Sequence, residues 1–307
     1  MTLLIFGAGY YGMLYKKYLE QYSKGDNIIG FLDNGNRDVL ILSKNGDAIP
    51  IYSPEAVVGM DYDRIVVTTS NPVHIHEISE QLKELNVPLD KIEFLYKNEE
   101  LRIKVIASYN MYNEEDARVR WLRNFSIYAK EKGLTGNVAE CGVFKGEFAY
   151  FINKYFSDRK LYLFDTFEGF QERDLEIERT LDNNAFLEGS FNSEKAFVSG
   201  NEKVTLERML FKDNCIVKKG YFPETAVGIE DEFCFVNLDM DLYLPTLEGL
   251  RFYYDRMCKG GVVLIHDYYH PELPGIKQAI KDFELETKQE LVKLPIGDFC
   301  SIAIVKN

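Results

Sequence analysis

The stretch that decides the fold is ECGVFKGEFAYFINKYFSDRKLYLFDTFEGF, Glu140 to Phe170. It starts at the end of an apolar strand, turns through Gly142 and Gly146, continues as a helix near Phe148–Tyr155, and returns as the strand LYLFD, which ends on Asp165. Strand, glycine turn, helix and a second strand closing on a carboxylate form half of a nucleotide-binding sheet. Glycines in such a turn remove the β-carbons that would keep backbone away from a ligand. Asp165 stands where ribose hydroxyls find an acceptor.

Around this core the apolar runs NVAECGV, NCIVKKGY, EFCFVNLDM, GGVVLIHDY, ELVKLP and CSIAIVK read as further strands, with helices near Leu247–Met257 and Ile276–Glu284. Together they predict a seven-stranded mixed sheet, parallel except at a hairpin-like edge. Upstream, TLLIFGAG, a helix over Tyr10–Tyr22, NIIGFLD, IPIY, RIVVTTS, a helix over Pro72–Leu85 and KIEFLY predict a smaller parallel sheet. The fold class is therefore α/β with two Rossmann-like domains: residues 1–100, a linker over 101–111, and residues 112–307. The second domain opens on a helix with Trp121, Leu122, Phe125 and Tyr128 on one apolar face. The polar, acidic segment Phe170–Lys203 is too long for an ordinary connection, and reads as a mobile lid or as a solvated insertion.

The composition narrows the partners. A hydrophobic content of 46% over 307 residues suffices for two cores, and a net charge of −13 with a pI near 4.9 opposes nucleic acid or an anionic membrane surface. A neutral or cationic small molecule suits such a chain, and homo-oligomerisation is left open. Cys141, Cys215, Cys234, Cys258 and Cys300 are odd in number and lack paired metal spacing, so reduced thiols are expected. The apolar start carries a glycine motif rather than a basic leader, and no apolar run reaches the ~18 residues of a membrane span, so a cytoplasmic location is expected.

The strongest chemical signal is at two strand ends: Asp239 and Asp241 in FVNLDMDLY, and His266 and Asp267 in VVLIHDYYH. Ligands of open α/β sheets bind beyond the carboxyl ends of the strands, which is where these residues belong. Asp239, His266 and Asp267 converging on one point would suit a divalent cation. The oxygens favour magnesium or manganese, and the imidazole inclines the set to manganese, iron or zinc. The plainer alternative is that they cap loops and bond one another. Tyr243 beside the carboxylates could stack on a sugar face, and His270 could reach the acceptor; core packing and a loop position are the alternatives.

The ordered motifs ECGVFKGE, DTFEGF, LDMDLYLPT and HDYYHPELPGIKQAIKDF resemble the macrocin O-methyltransferase family over about residues 112–307. Members methylate sugar hydroxyls of antibiotics with S-adenosylmethionine and magnesium on a class I methyltransferase fold. The resemblance implies that Glu140, Gly142 and Gly146 lie against the methionine part of the cofactor and Asp165 against its ribose. It makes Asp239 a metal ligand and base and Asp267 a second ligand. His266 stands where the family usually has another aspartate.

GAGYYG, Gly7 to Gly12, fits G-x-G-x-x-G between a strand and a helix, and Asp33 ends the next strand. This part resembles the small amino-terminal domain of bacterial sugar acyltransferases, which implies that Gly7, Gly9, Gly12 and Asp33 flank a nucleotide-sugar. A module kept for packing is the alternative. Two competing functions remain: an NAD-dependent sugar-nucleotide oxidoreductase or epimerase centred on this domain, which lacks a Tyr-x-x-x-Lys pair, and a non-catalytic sugar-nucleotide scaffold.

Overall fold

A computed structural model describes the chain except residues 36–38, 182–185, 188, 190, 194–196 and 198–199. Of the expected lid, Phe170–Lys203, residues 182–185, 188, 190, 194–196 and 198–199 therefore lie outside the described residues. The chain divides into two compact units, Met1–Tyr109 and Asn110–Asn307. Among the described residues, no helix is long and apolar enough to cross a membrane.

In the first unit, β1 (Thr2–Phe6), α1 (Tyr10–Tyr22) and β2 (Asn27–Leu32) form the expected strand–helix–strand start. The hairpin β3 (Ile41–Leu42) and β4 (Ala48–Ile49) follows, then β5 (Ile51–Tyr52), β6 (Arg64–Val67), α2 (Pro72–Glu84) and β7 (Ile92–Phe94). The main sheet runs β5-β2-β1-β6-β7, all parallel. Alternate residues of β1 feed opposite cores, Leu3 and Ile5 on one face and Leu4 and Phe6 on the other, so the strand reads as a continuous apolar run. IPIY is not one strand: Pro50, which has no N–H to donate, separates β4 from β5. The stretch 101–111, read from the sequence as a linker within a largely helical segment, is largely helix. In α3 (Glu99–Ala107) the Asn98 side chain caps the N-terminus at Leu101 N–H, while Leu101 and Val105 join the first unit's core.

The second unit opens with α4 (Ala117–Glu131). Leu122 and Phe125 are buried as the apolar face requires, with Phe125 packed on Phe235, whereas Tyr128 is exposed. Next come β8 (Asn137–Cys141), α5 (Ala149–Tyr155), β9 (Leu161–Asp165), α6 (Glu172–Thr180), α7 (Glu202–Arg208) and β10 (Cys215–Lys219). The chain ends through β11 (Phe233–Leu238), α8 (Tyr243–Tyr253), β12 (Met257–Ile265), α9 (Gly275–Thr287), β13 (Val292–Pro295) and β14 (Ile302–Val305). The seven strands are ordered β10-β9-β8-β11-β12-β14-β13, parallel except for β14, which runs antiparallel to both neighbours. This is the class I methyltransferase arrangement expected from the sequence. Strand order reverses between β8 and β11, and ligands of open α/β sheets bind at such a switch point.

The glycines of the first unit answer different demands. A β-carbon on Gly12 would lie 1.9 Å from the Gly7 carbonyl oxygen, whereas one on Gly9 would meet nothing within 4 Å. Gly12→Ala is therefore expected to destabilise the first unit by about 2–3 kcal/mol, and Gly9→Ala by less than about 0.5. Scanning calorimetry of the full chain checks this, and equal losses would show that packing alone does not separate the two positions.

Candidate active site

The parallel strands of the second unit bring their carboxyl ends to one edge, where a cavity of about 400 Å³ opens. Backbone bonds fix the depth of each strand end: Gly142 N–H donates to Phe164 O, Asp239 N–H to Cys141 O and His266 N–H to Leu238 O. The glycine turn is shaped by packing. Gly142 has φ +84°, and its missing β-carbon leaves room for the Asp239 carbonyl, which would otherwise lie 1.8 Å away. Gly146, at φ +74°, faces Thr205 of α7 in the same way. The contacts that require glycine at both positions are thus made by the protein itself.

Asp165 closes this turn. Its Oδ2 accepts the Val143 and Phe144 N–H groups at 2.7 Å each, and its Oδ1 accepts Phe167 N–H at 2.6 Å. Phe144 and Phe167 both adopt positive φ, a conformation that bulky residues rarely hold, and the carboxylate anchors the two N–H groups there.

A buried polar chain crosses from Glu140 to the acid cluster. Glu140, at the end of β8, accepts the Asn237 amide at 2.8 Å through Oε1, while its buried Oε2 has no partner among the described residues. Asn237 Oδ1 in turn accepts from Arg118 Nη2 at 2.8 Å, and the same nitrogen donates to Asp239 Oδ2 at 2.8 Å. Arg118 is only 3% exposed, and its guanidinium lies 3.9 Å over the Phe148 ring. Burial, then the nearby Asp239 charge, pushes the Glu140 carboxyl up to about 8.

Asp239, Asp241 and Asp267 form the acid cluster, each offering an oxygen within 4.8 Å of the others. Burial opposes ionisation of Asp239, yet His266 and Arg118 hold its carboxyl well below the usual carboxylate range. Burial and then the charges of Asp239 and Asp267 push the Asp241 carboxyl well above that range. His266 Nδ1 lies 3.1 Å from Asp239 Oδ1 and 2.9 Å from Asp267 Oδ2. Although burial and Arg118 oppose it, the two carboxylates raise the imidazole to about 9. Asp241 and Asp267 both have positive φ, which aspartate tolerates better than most residues.

The structure thus brings together Glu140, Gly142, Asp165, Asp239, His266 and Asp267 around one cavity, with Asp241 as the third carboxylate of the cluster. The expected triplet of Asp239, His266 and Asp267 does come together, with Nδ1 of His266 engaged by its two neighbours. A set of three convergent carboxyl groups, in which the charges of two oppose ionisation of the third, fits a divalent cation. The unpartnered buried Oε2 of Glu140 fits the ammonium group of an amino acid moiety such as the methionine part of S-adenosylmethionine.

Tyr243 and His270 do not line this cavity. As the first residue of α8, Tyr243 has its hydroxyl bonded to Asp282 of α9, and His270 packs against Phe191 with its Nδ1 accepting Glu272 N–H. In the first unit, Gly7, Gly9, Gly12 and Asp33 gather at the start of α1, where Asp33 Oδ2 accepts Ala8 N–H at 2.8 Å. Sequence reasoning missed Arg118 and Asn237. Each carried a signal: a cation four residues before Leu122 on an apolar helix face, and an amide inside the apolar run CFVNL.

A sheet of this order with a glycine turn and strand-end carboxylates defines a class I methyltransferase. The model of the Macrocin-O-methyltransferase (TylF) family matches residues 104–300, and the chain belongs to that family of S-adenosylmethionine-dependent O-methyltransferases. Among solved structures, the O-methyltransferase NovP aligns with a TM-score of 0.51 at 18% identity, covering 62% of this chain and 79% of NovP. CalS11, a calicheamicin methyltransferase, aligns at 0.47 and 18% identity, covering 77% of this chain and 94% of CalS11. The NovP likeness speaks to the fold. No curated protein sequence matches the chain. At the level of class, the family displaces both the oxidoreductase and the scaffold readings.

Removing one partner of a buried ion pair typically costs about 3–5 kcal/mol, so Arg118→Met should lower the unfolding free energy by about that much in urea titrations followed by Trp121 fluorescence. A loss under about 1 kcal/mol would show that Asp239 does not depend on this cation.

Glu140 gives a pH dependence. Its folded value near 8 lies above its ordinary 4.5, so between those pH values the folded state keeps a proton that the unfolded state releases. Stability is therefore highest below the ordinary value and falls as pH rises through the folded one. Glu140→Gln should flatten the fall in melting temperature from about pH 5 to 8.5; an unchanged slope would remove Glu140 as its source.

Proposed function

We propose that this enzyme methylates a hydroxyl of a sugar, carried by a small molecule or a nucleotide, with a divalent cation held by Asp239, Asp241 and Asp267. The observation that carries this reading is the convergence of three carboxylates within 4.8 Å, in the same cavity as Glu140 and Asp165. The family supports the sugar acceptor, and the oxygen-only donor set supports magnesium or manganese.

When bound, S-adenosylmethionine supplies a methyl group activated on sulfur, and the cation acidifies a coordinated hydroxyl. The chain's own residues do the rest. Glu140 faces the ammonium end of the donor with its unpartnered oxygen, and Asp165 both shapes the glycine turn and offers Oδ1 to the ribose. Arg118 and His266 hold Asp239 ionised and fixed in direction, and Asp239 takes the hydroxyl proton as the oxygen gains its methyl group. The same two neighbours weaken Asp239 as a base. Transfer therefore depends on an acidified hydroxyl, which is the reason a cation belongs in the reading.

The first unit's glycine turn supports a role in holding the acceptor through its nucleotide. Helix α1 has no side-chain cap and no acid in its first turn, as suits an anionic group beside Gly7, Gly9 and Gly12, with Asp33 at the ribose.

Asp239→Asn is expected to lower turnover by about 10²–10⁴-fold on a panel of glycosides and nucleotide-sugars while leaving S-adenosylhomocysteine affinity within about threefold. Radiolabel transfer and calorimetry measure the two. Undiminished turnover would end the role given to Asp239, and loss of cofactor binding would make it structural.

A further inference from the structure

The pairing of β12 with β14 sets a second group of donors beside the acid cluster. Their antiparallel register matches Ile265 with Ile302, and two residues further on it places Asp267 opposite Cys300. The segments stay together past the strand ends, since Tyr269 N–H donates to the Cys300 carbonyl at 3.0 Å. A ring nitrogen of His266, a carboxylate oxygen of Asp267 and the Cys300 sulfur consequently lie within 4.8 Å of one another.

Each donor is held in place. His266 is fixed through Nδ1 by the carboxylates of Asp239 and Asp267, the kind of contact that orients imidazoles in metal sites. Asp298 fixes Cys300 from the other side, its Oδ1 accepting the N–H groups of Cys300 at 3.2 Å and Ser301 at 2.7 Å. His266 and Cys300 are both partly accessible, so a cation can reach them.

The chemistry of this set differs from that of the carboxylate cluster. Magnesium and calcium prefer oxygen alone, whereas imidazole, thiolate and carboxylate together suit a borderline or soft cation, and zinc accepts all three at bond lengths of about 2.0–2.3 Å. We propose that His266, Asp267 and Cys300 form a binding site for a thiophilic divalent cation of the zinc class. It is distinct in its donors from the cluster of Asp239, Asp241 and Asp267 but shares Asp267 with it. Binding releases the Cys300 thiol proton and the proton on the second ring nitrogen of His266 to solvent, leaving thiolate and neutral imidazole on the metal. Because one carboxylate serves both sets, occupancy of the mixed site draws Asp267 away from the other, so zinc acts as a brake on whatever the carboxylate cluster does. This inference goes beyond methyl transfer and requires no cofactor or acceptor.

Cobalt(II) added to the full-length protein is the test, because thiolate ligation gives an intense near-ultraviolet charge-transfer absorption. The band should appear with the wild-type protein and Cys215→Ser, vanish on addition of zinc, and be lost in Cys300→Ser. Cobalt affinity in Cys300→Ser should fall by more than about 10-fold, the least that even an outer partner of a metal site is worth. Absence of the band in the wild-type protein, or its survival in Cys300→Ser, would overturn the proposal. Manganese binding, followed by electron paramagnetic resonance, reads the carboxylate cluster separately. Failure there counts against the cation in the methyl-transfer reading, while the cobalt band still decides this site.

Discussion

One buried guanidinium makes the active edge of this protein possible. Glu140, Asp165, Asp239, Asp241 and Asp267 line the same cavity, whose described lining residues include no lysine or arginine. At an effective dielectric near 20, two unit charges 4 Å apart interact by about 4 kcal/mol, so such a crowd cannot all ionise without compensation. Arg118 supplies part of it from beneath, through Asp239 and Asn237, and His266 supplies part from the side. The remainder appears as resistance of Glu140 and Asp241 to ionisation. The site is thus built short of positive charge, and a sulfonium donor with a metal ion is a chemically apt complement.

How legible was this in the sequence? The sheet of the second unit was, because each strand is a short apolar run bounded by polar or glycine residues, and the helix Tyr10–Tyr22 was, because a glycine turn starts it and its apolar residues recur at helical spacing. Asp165, Asp239 and Asp267 were legible because strand-end carboxylates are rare and the sheet rule says where they gather. Arg118 was not, since it lies 121 residues from Asp239 in sequence and helix periodicity cannot say which residue of another element a side chain will meet. The placement of Tyr243 was not legible for a related reason. Its place beside the carboxylates suggested the cavity, but the first turn of α8 directs it to Asp282 instead.

The two units share a device that motif matching alone does not explain. In each, the acid ending the second strand of the glycine unit grips backbone N–H groups of the turn: Asp33 takes Ala8, and Asp165 takes Val143 and Phe144. The acid therefore has a structural duty before any ribose arrives. That duty is why a strand–glycine–acid pattern reports the shape of a turn more securely than the identity of a ligand.

The position of β14 has a consequence for the history of each molecule. It lies between β12 and β13 in the sheet but follows both in sequence. As the chain emerges during synthesis, β12 must wait with one edge unpaired, a state in which strands invite foreign partners. This strand both seals that edge and sets Cys300 beside Asp267. Closure of the sheet and the docking of Cys300 against Asp267 are thus a single late event, and a nascent chain paused before it would be open at its edge.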